Sequence, residues 1–219
     1  MPSRRALPAA AGAVLCLALV VGCHSRKGPD LVPPQNVRMD SEVLEEFYEE
    51  IQEYVRLRHK VVDVVPALPP EATADQISIR QKTLTQTIIK FRRKAKPGEI
   101  FKPEVEAAFR HVFKEIFATP EGAAIIKELR QGNPMVEGVP NPGDPTHETL
   151  KSVRLGVNVV YTEGAPFSSV PSTLLLKIPA LPPEVRYRFV GRALIVRDTD
   201  ANVILDFIRD IVPDPTIPR

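Results

Sequence analysis

Cysteine is scarce in this sequence, with only Cys16 and Cys23 among 219 residues. Cys16 lies inside an N-terminal apolar run that we predict to be removed, so the mature chain keeps Cys23 alone and cannot form an intramolecular disulfide. Tryptophan is absent altogether. Stability must therefore come from a packed hydrophobic core, which a mature chain of about 200 residues is long enough to build.

An excess of charge of either sign is also missing. The 29 basic and 27 acidic side chains become 27 of each once Arg4 and Arg5 are removed with the N-terminal segment. This balance argues against a nucleic-acid partner, since such proteins need a strongly basic face to neutralise phosphates. Phosphate-binding loops, dinucleotide-binding glycines and serine-hydrolase elbows are absent too. We therefore expect no cofactor and no metal, and we favour a non-enzymatic role.

The features that are present begin at the N-terminus. Arg4 and Arg5 precede an apolar run over residues 9–21, which is followed by the small residue Gly22. A basic region, an apolar run of this length and a small residue before the cleavage point are typical of a secretory signal. The run is too short to span a bilayer, which takes about 20 apolar residues. Residues 1–22 are therefore predicted to be a signal peptide.

The sequence Val20-Val21-Gly22-Cys23 resembles the lipobox of bacterial lipoproteins. The resemblance implies that the Cys23 thiol receives a diacylglyceryl group and that the freed Cys23 amine is often acylated too. More than one acyl chain makes attachment stable, since each buried methylene contributes about 0.8 kcal/mol. His24 favours the outer membrane, because an aspartate there would resemble an inner-membrane retention signal. The alternative is a soluble periplasmic or secreted protein, cleaved for instance after Ser25.

Residues 23–39 contain three prolines and no periodicity, which is typical of an extended tether. Residues 40–132 are predicted to be a helical lobe of three or four helices, because apolar residues recur at helical spacing after capping residues. The expected helices run from Ser41 to about Val62, from the Thr73–Gln76 capping box to about Ala95, from Pro103 to about Phe117, and from Pro120 to about Gly132.

The short connection between the first two helices makes them antiparallel neighbours. Six glutamates in the first half of helix one would then lie beside the basic end of helix two, and we expect them to pair. The alternative is a contact with anionic lipid or polysaccharide. The basic residues concerned are Lys90, Arg92, Arg93, Lys94 and Lys96.

Residues 133–150 are dense in glycine, proline, asparagine and aspartate, and we predict a loop or a linker between two lobes. His147-Glu148 begins like a zinc-protease motif, but Lys151 occupies the position of the required second histidine. The sequence therefore does not predict a zinc site here.

Residues 151–213 are predicted to form a β-rich lobe. Alternating apolar residues from Val153 to Tyr161 predict a first strand, and a short helical turn follows near residues 171–177. The remaining strands are expected at Val185–Val190, Ala193–Arg197 and Val203–Ile208, joined in an antiparallel meander. The predicted fold class is α+β, with N-terminal helices followed by an antiparallel sheet of about four strands, as one compact domain or as two lobes.

Asp198, Asp200 and Asn202 have the spacing that opens an EF-hand calcium loop. The glycine and the closing glutamate of that loop would fall at Val203 and Arg209, and both are wrong. A hairpin turn is the favoured interpretation, with weak calcium binding as the alternative.

Three segments occur in a recognisable order: QISIRQKTL, then KPGEIFKPEVEAAFRHVF, then LPPEVRYRFVGRALIVRDTDANVILDFI. In this order the chain resembles an uncharacterised family of exported bacterial proteins from soil-type genomes. The resemblance covers most of the chain beyond the tether and implies one recurrent folded unit. It implies no activity and no site residues.

The leading hypothesis for function is a lipid-anchored, non-catalytic envelope protein, attached to the membrane through lipid on Cys23, that binds a partner or builds a surface. The rival is a small periplasmic enzyme or ligand carrier with a site between the two lobes. Residues remote in sequence would then have to converge. The first candidates are His111, His147, Glu148 and Tyr161.

Overall fold

The computed structural model describes residues 37–130, 133–138 and 151–214. The predicted signal peptide, Cys23, His147 and Glu148 therefore lie outside the described residues. The helices and strands are α1 Ser41–Val64, α2 Ala74–Phe91, α3 Pro103–Phe117, α4 Gly122–Arg130, β1 Val159–Val160, α5 Ser172–Leu175, β2 Val185–Val190, β3 Ala193–Asp198 and β4 Val203–Ile208. The predicted α+β class is confirmed, since the helices are followed by a four-stranded antiparallel sheet of order β1-β4-β3-β2.

The first two helices begin at the predicted caps. The Asp40 side chain accepts a hydrogen bond from the Glu42 amide at 2.9 Å. At the start of α2, Thr73 and Gln76 form a reciprocal capping box, in which each side chain accepts from the backbone amide of the other. These bonds satisfy amides that have no partner within the helix, which explains why the helices start where they do.

Helices α1 and α2 run antiparallel, as predicted. Arg80, near the start of α2, donates to the carbonyl of Pro66 just beyond α1. Arg92 follows the end of α2, and its guanidinium lies 5.4 Å from the ring centroid of Tyr54 in the middle of α1. The start of one helix therefore lies beside the end of the other.

The apolar residues that recur at helical spacing in α2 are only partly buried. Leu84 and Ile88 are buried, but Ile77 and Phe91 are 50% and 55% exposed. The helix buries side chains only from Leu84 onward, so nearly its first three turns extend beyond the core. At the other end, Arg92 rather than Phe91 turns inward, because it finds hydrogen-bond partners there.

The predicted pairing between the glutamates of α1 and the basic end of α2 is wrong. The Lys102 ammonium pairs instead with Glu46 and Glu50, at 3.1 and 2.8 Å. The loop after α2 folds back toward α1 and so brings Lys102 to these glutamates, while Arg92 pairs within the loop with Glu99. Within the described part of the chain, no ion pair is formed by Lys90, Arg93, Lys94 or Lys96.

Helix α3 lies at the centre of the core. Its ring at Phe109 lies 5.4 Å from Phe47 of α1 and 6.1 Å from Tyr187 of β2, between ring centroids. Helices and sheet thus share one apolar core, in which each fully buried large side chain contributes about 1.5–3 kcal/mol. The predicted stripe of α3 is buried throughout: Val105, Phe109, Val112, Phe113, Ile116 and Phe117.

The predicted strand from Val153 to Tyr161 is wrong except near its end. Only the two residues of β1 pair with β4, and Val153 forms an isolated parallel bridge with Val136. Asn158 adopts a left-handed backbone conformation, with φ of 61°, within a turn in which the Val159 amide donates to the Gly156 carbonyl. A strand cannot continue through that turn, so the apolar alternation here reflects burial of a loop.

Strands β2, β3 and β4 form the predicted meander, with β3 one residue longer than expected because it includes Asp198. Successive side chains point to opposite faces of a sheet. The inner face packs against the helices. The outer face carries a smaller apolar cluster of Val153, Tyr161, Ala165, Val190, Ile195 and Ile204.

The tyrosines give a pH-dependence prediction. Burial raises the pKa of Tyr48, Tyr54 and Tyr187, and it raises the pKa of Tyr161 to about 12. These are the four tyrosines of the chain. Because the folded state favours the protonated phenols, their contribution to stability is present below about pH 10 and is lost as the pH rises through the folded-state values.

We therefore expect the absorbance of the folded protein at 295 nm to rise little around pH 10. The protein unfolded in guanidinium chloride should instead titrate with a midpoint near the ordinary value of about 10. Circular dichroism at each pH shows whether the fold is intact. Reversible ionisation of two or more tyrosines near pH 10, with an unchanged circular dichroism spectrum, would contradict the prediction.

Candidate functional site

Of the residues selected from the sequence, the structure describes His111 and Tyr161, and these two do not converge. His111 is exposed on α3, which packs against the inner face of the sheet, whereas Tyr161 is buried on the outer face. The boundary between helices and sheet, where an enzyme site was the rival hypothesis, is filled by the shared apolar core.

In the turn between β3 and β4, side-chain oxygens that a calcium ion would need accept hydrogen bonds from the protein instead. Asp198 is fully buried and accepts hydrogen bonds from two side chains of α1, the Tyr54 hydroxyl at 2.6 Å and Arg58 Nε at 2.8 Å. Its second carboxylate oxygen accepts from the amides of Asp200 and Ala201 at 2.9 and 2.6 Å. Asp198 thus fastens α1 to the hairpin turn.

The other two residues of the calcium-like spacing are also engaged. Asp200 pairs with Arg58, and we call Tyr54, Arg58, Asp198 and Asp200 the α1–turn network. Asn202 accepts from Arg197 through its side-chain oxygen and donates to the Tyr161 carbonyl at 3.0 Å. Burial disfavours the charge of Arg58, but the two aspartates outweigh it, so the pKa of Arg58 is raised.

A second buried carboxylate on the inner face is satisfied by backbone. Asp206 accepts hydrogen bonds at 2.9–3.1 Å from the amides of Gly98, Ile100, Phe101 and Phe207. Nearby, Arg92 donates to side chains of Asn158 and Glu99 and to the carbonyl of Leu205. These inner-face charges are therefore used in holding the fold together.

The outer face holds a different arrangement, in which arginines lie against aromatic rings. We define the arginine–aromatic cluster as Tyr161, Phe167, Arg188 and Arg197. The rings of Tyr161 and Phe167 are stacked, with centroids 5.0 Å apart. The Arg197 guanidinium lies 4.6 Å from the Phe167 centroid and 5.5 Å from that of Tyr161. The Arg188 guanidinium lies 5.9 Å from the Phe167 centroid.

Neither arginine of the cluster has all of its hydrogen-bond donors paired within the described part of the protein. Arg197 is only 6% exposed, and its Nη1 donates to Asn202, but its Nε is buried without a hydrogen-bond partner. Arg188 repeats the pattern: Nη1 donates to the Tyr187 carbonyl at 3.0 Å, and Nε is buried without a partner. Neither forms an ion pair with any residue that the structure describes.

The pKa values of the cluster's two arginines are lowered, whereas the pKa of Arg58 in the α1–turn network is raised. Burial lowers the pKa of Arg197, and repulsion from Arg188 lowers it further, while attraction to Asp198 and Asp200 is too weak to compensate. Burial also lowers the pKa of Arg188, with added repulsion from Arg186. Arginine nevertheless stays protonated at neutral pH. The cluster therefore carries positive charge that the fold does not neutralise.

The β2–β3 hairpin positions the arginines. Arg186 lies directly opposite Arg197 in the ladder, and Arg188 lies two residues further along the same face. This is the part of the cluster that the sequence could have indicated, because a two-residue connection at Gly191-Arg192 fixes which positions face each other. Arg188 and Arg197 are not among the site residues predicted from the sequence.

A loop places the aromatic rings over these strands. The Ser168 hydroxyl donates to the carbonyl of Phe189 in β2 and accepts from its amide, both at 2.9 Å, which docks the segment containing Phe167 beside β2. The Tyr161 hydroxyl donates to the carbonyl of Pro166 at 2.7 Å and secures the same loop. No pattern in the sequence predicts that this loop covers the arginines.

The comparisons with known proteins add no assignment: no family, no curated protein and no solved structure matches this chain. Within the described residues, no three histidine, cysteine, aspartate or glutamate side chains are grouped to hold a metal ion. None of the helices there is long and apolar enough to cross a membrane. A guanidinium donates hydrogen bonds but does not exchange protons near neutral pH, so the arginine–aromatic cluster suits binding rather than acid–base catalysis.

Proposed function

We propose that this protein is an exported, lipid-anchored envelope protein, placed in the outer membrane, that acts as a non-catalytic binding module. Its partner would bind the outer face of the sheet at the arginine–aromatic cluster. The export signal at residues 1–22 and the lipobox-like sequence ending in Cys23 support the location. The contrast between the two faces of the sheet supports the role.

One observation carries the binding role. The buried carboxylates of the inner face, Asp198 and Asp206, have their donors within the fold. On the outer face, Arg188 and Arg197 keep buried donors without acceptors. Buried polar groups are normally hydrogen-bonded, because a donor without a partner costs about 1–3 kcal/mol. A partner that supplies acceptors would remove this cost.

The membrane attachment is tested by substitution of Cys23. In its bacterial host, the full-length protein should fractionate with membranes and yield an N-terminal peptide carrying lipid on Cys23 by mass spectrometry. Cys23→Ala should move the protein to the soluble fraction or leave the precursor uncleaved, because the acceptor thiol is lost.

Cys16→Ala is the matched control, since it makes the same chemical change inside the predicted signal peptide. This variant should be processed, lipidated and fractionated like the natural sequence. An unmodified Cys23 in the mature protein would contradict the anchor, and so would two variants that are both cleaved and both remain with membranes.

A further inference from the structure

The arginine–aromatic cluster leaves the same edge free on both guanidiniums. In each arginine Nη1 donates to a protein oxygen, and Nε has no partner. Nη2 has no hydrogen bond within the described residues either, and unlike Nε it is not fully buried. Nε and Nη2 form the lateral edge of a guanidinium, which binds a carboxylate or a phosphate through two parallel hydrogen bonds.

We propose that Arg188 and Arg197 bind an oxyanion, a carboxylate or a phosphate, carried on a planar group that packs against Phe167. The proposal deepens the proposed function by naming the chemistry of the partner, and it rests on that function only for the face of the sheet involved. The solvent-accessible Nη2 atoms would meet the oxyanion first. The Nε atoms beneath them would complete the bidentate pairs.

The aromatic part of the proposal comes from Phe167. Its side chain is 53% exposed, although one part of the ring stacks on the buried Tyr161. A half-exposed phenyl ring beside two guanidiniums offers a planar apolar surface within reach of the positive charge. Aromatic rings prefer offset-stacked or edge-on contacts with other rings. A ring-bearing anion would make both contacts at once, whereas a bare anion would make only the polar one.

Isothermal titration calorimetry on the complete mature chain, purified in a neutral detergent, tests the proposal. The probes are benzoate against acetate and phenyl phosphate against inorganic phosphate, at constant ionic strength. We expect saturable binding of both ring-bearing probes, at least about fivefold tighter than their ringless counterparts. No saturable binding of either ring-bearing probe, or equal affinity within each pair, would overturn the proposal.

Substitutions assign the binding to the two arginines. Arg188→Gln and Arg197→Gln should each weaken binding about tenfold or more, because each removes charge-assisted hydrogen bonds. Arg197→Lys should also weaken it, since an ammonium keeps the charge but lacks the bidentate fork. Arg56→Gln removes the same charge from an exposed site on α1 and should change affinity less than twofold. Equal losses in Arg56→Gln and the cluster variants would overturn the proposal.

Two further measurements separate binding from folding and from lipid attraction. Unfolding temperatures of the glutamine variants should fall only slightly, since each variant loses one hydrogen bond from Nη1 and a contact with Phe167 but no ion pair. Phe167→Ala should reduce the preference for ring-bearing probes and leave acetate and phosphate within about twofold. Phosphatidylglycerol vesicles, whose headgroup phosphate carries no ring, should displace benzoate no better than inorganic phosphate does at the same phosphate concentration, and stronger displacement would overturn the proposal.

Failure of this proposal and failure of the membrane anchor can be told apart. The calorimetry reports on residues of the sheet and gives the same result whether or not Cys23 carries lipid. The fractionation of Cys23→Ala reports on the N-terminus and does not depend on Arg188 or Arg197.

Discussion

Asp198→Ala is expected to lower the free energy of unfolding by about 3–5 kcal/mol, the usual cost of removing one partner of a buried ion pair. Asp198 is fully buried and joins Tyr54 and Arg58 of α1 to the β3–β4 turn. Without it, the buried Arg58 keeps its charge but loses its buried carboxylate partner. A loss of this size is a large part of the 5–15 kcal/mol that stabilises an ordinary domain.

Asp200→Ala is the matched control for this substitution. Asp200 carries the same charge, pairs with the same Arg58 and lies two residues away, but its side chain is 62% exposed. Exposed ion pairs contribute about 0–1 kcal/mol, so its removal should cost no more than that. Guanidinium chloride unfolding followed by circular dichroism measures both variants.

A double variant tests the cause of the loss. Asp198→Ala combined with Arg58→Met should be less destabilised than the sum of the two single variants, because the second change removes the uncompensated charge. Similar small losses for Asp198→Ala and Asp200→Ala would show that the α1–turn network does not hold α1 to the sheet.

The elements that the sequence predicted well are those whose determinants are local. The capping box of α2 needs only Thr73 and Gln76, three residues apart. The β2–β3 hairpin needs only period-two alternation on either side of a two-residue turn. The strand predicted from Val153 was wrong, also for a local reason. Asn158 has a left-handed backbone conformation, and the pattern of apolar residues does not reveal it.

The polar networks could not be predicted in the same way, because the residues that pair in them are far apart in the sequence. Tyr54 and Asp198 are 144 positions apart. The sequence favoured a hairpin turn at Asp198, Asp200 and Asn202 but left weak calcium binding as an alternative, and it gave no sign that Arg58 pairs with the two aspartates. Nothing near the aspartates in the sequence indicates that arginine.

Half of the arginine–aromatic cluster could be predicted from the sequence. Strand alternation and hairpin register place Arg188 and Arg197 on one face, and both can be derived from the sequence. The lack of an acidic partner and the covering by Phe167 depend on how a loop docks through Ser168. This candidate site is distinguished by hydrogen-bond donors of Arg188 and Arg197 that have no acceptor. That feature exists only in the folded protein.

Asp206→Ala is expected to cost about 3–5 kcal/mol in the free energy of unfolding, the upper range for a single substitution. Asp206 is fully buried and accepts from four backbone amides, three of which belong to the loop between α2 and α3. Each buried amide left without an acceptor costs about 1–3 kcal/mol, less what relaxation recovers. Because these amides cannot be moved to another acceptor without refolding the loop, the loss should exceed that for any exposed aspartate.

Two comparisons define the test of Asp206, measured by denaturant unfolding and by hydrogen exchange. Asp206→Asn keeps one acceptor oxygen but turns an NH₂ group toward the amides, so it should lose somewhat less stability than Asp206→Ala. The control is Asp63→Ala on the exposed side of α1, which should change the free energy of unfolding by no more than about 0.5 kcal/mol. Both Asp206 variants should lose clearly more stability than this control. The amides of Ile100 and Phe101 should lose protection in both Asp206 variants by more than the global loss of stability accounts for, because their acceptor is removed directly. Unchanged protection of these two amides would show that the loop between α2 and α3 is held by the aromatic core and not by the carboxylate on β4.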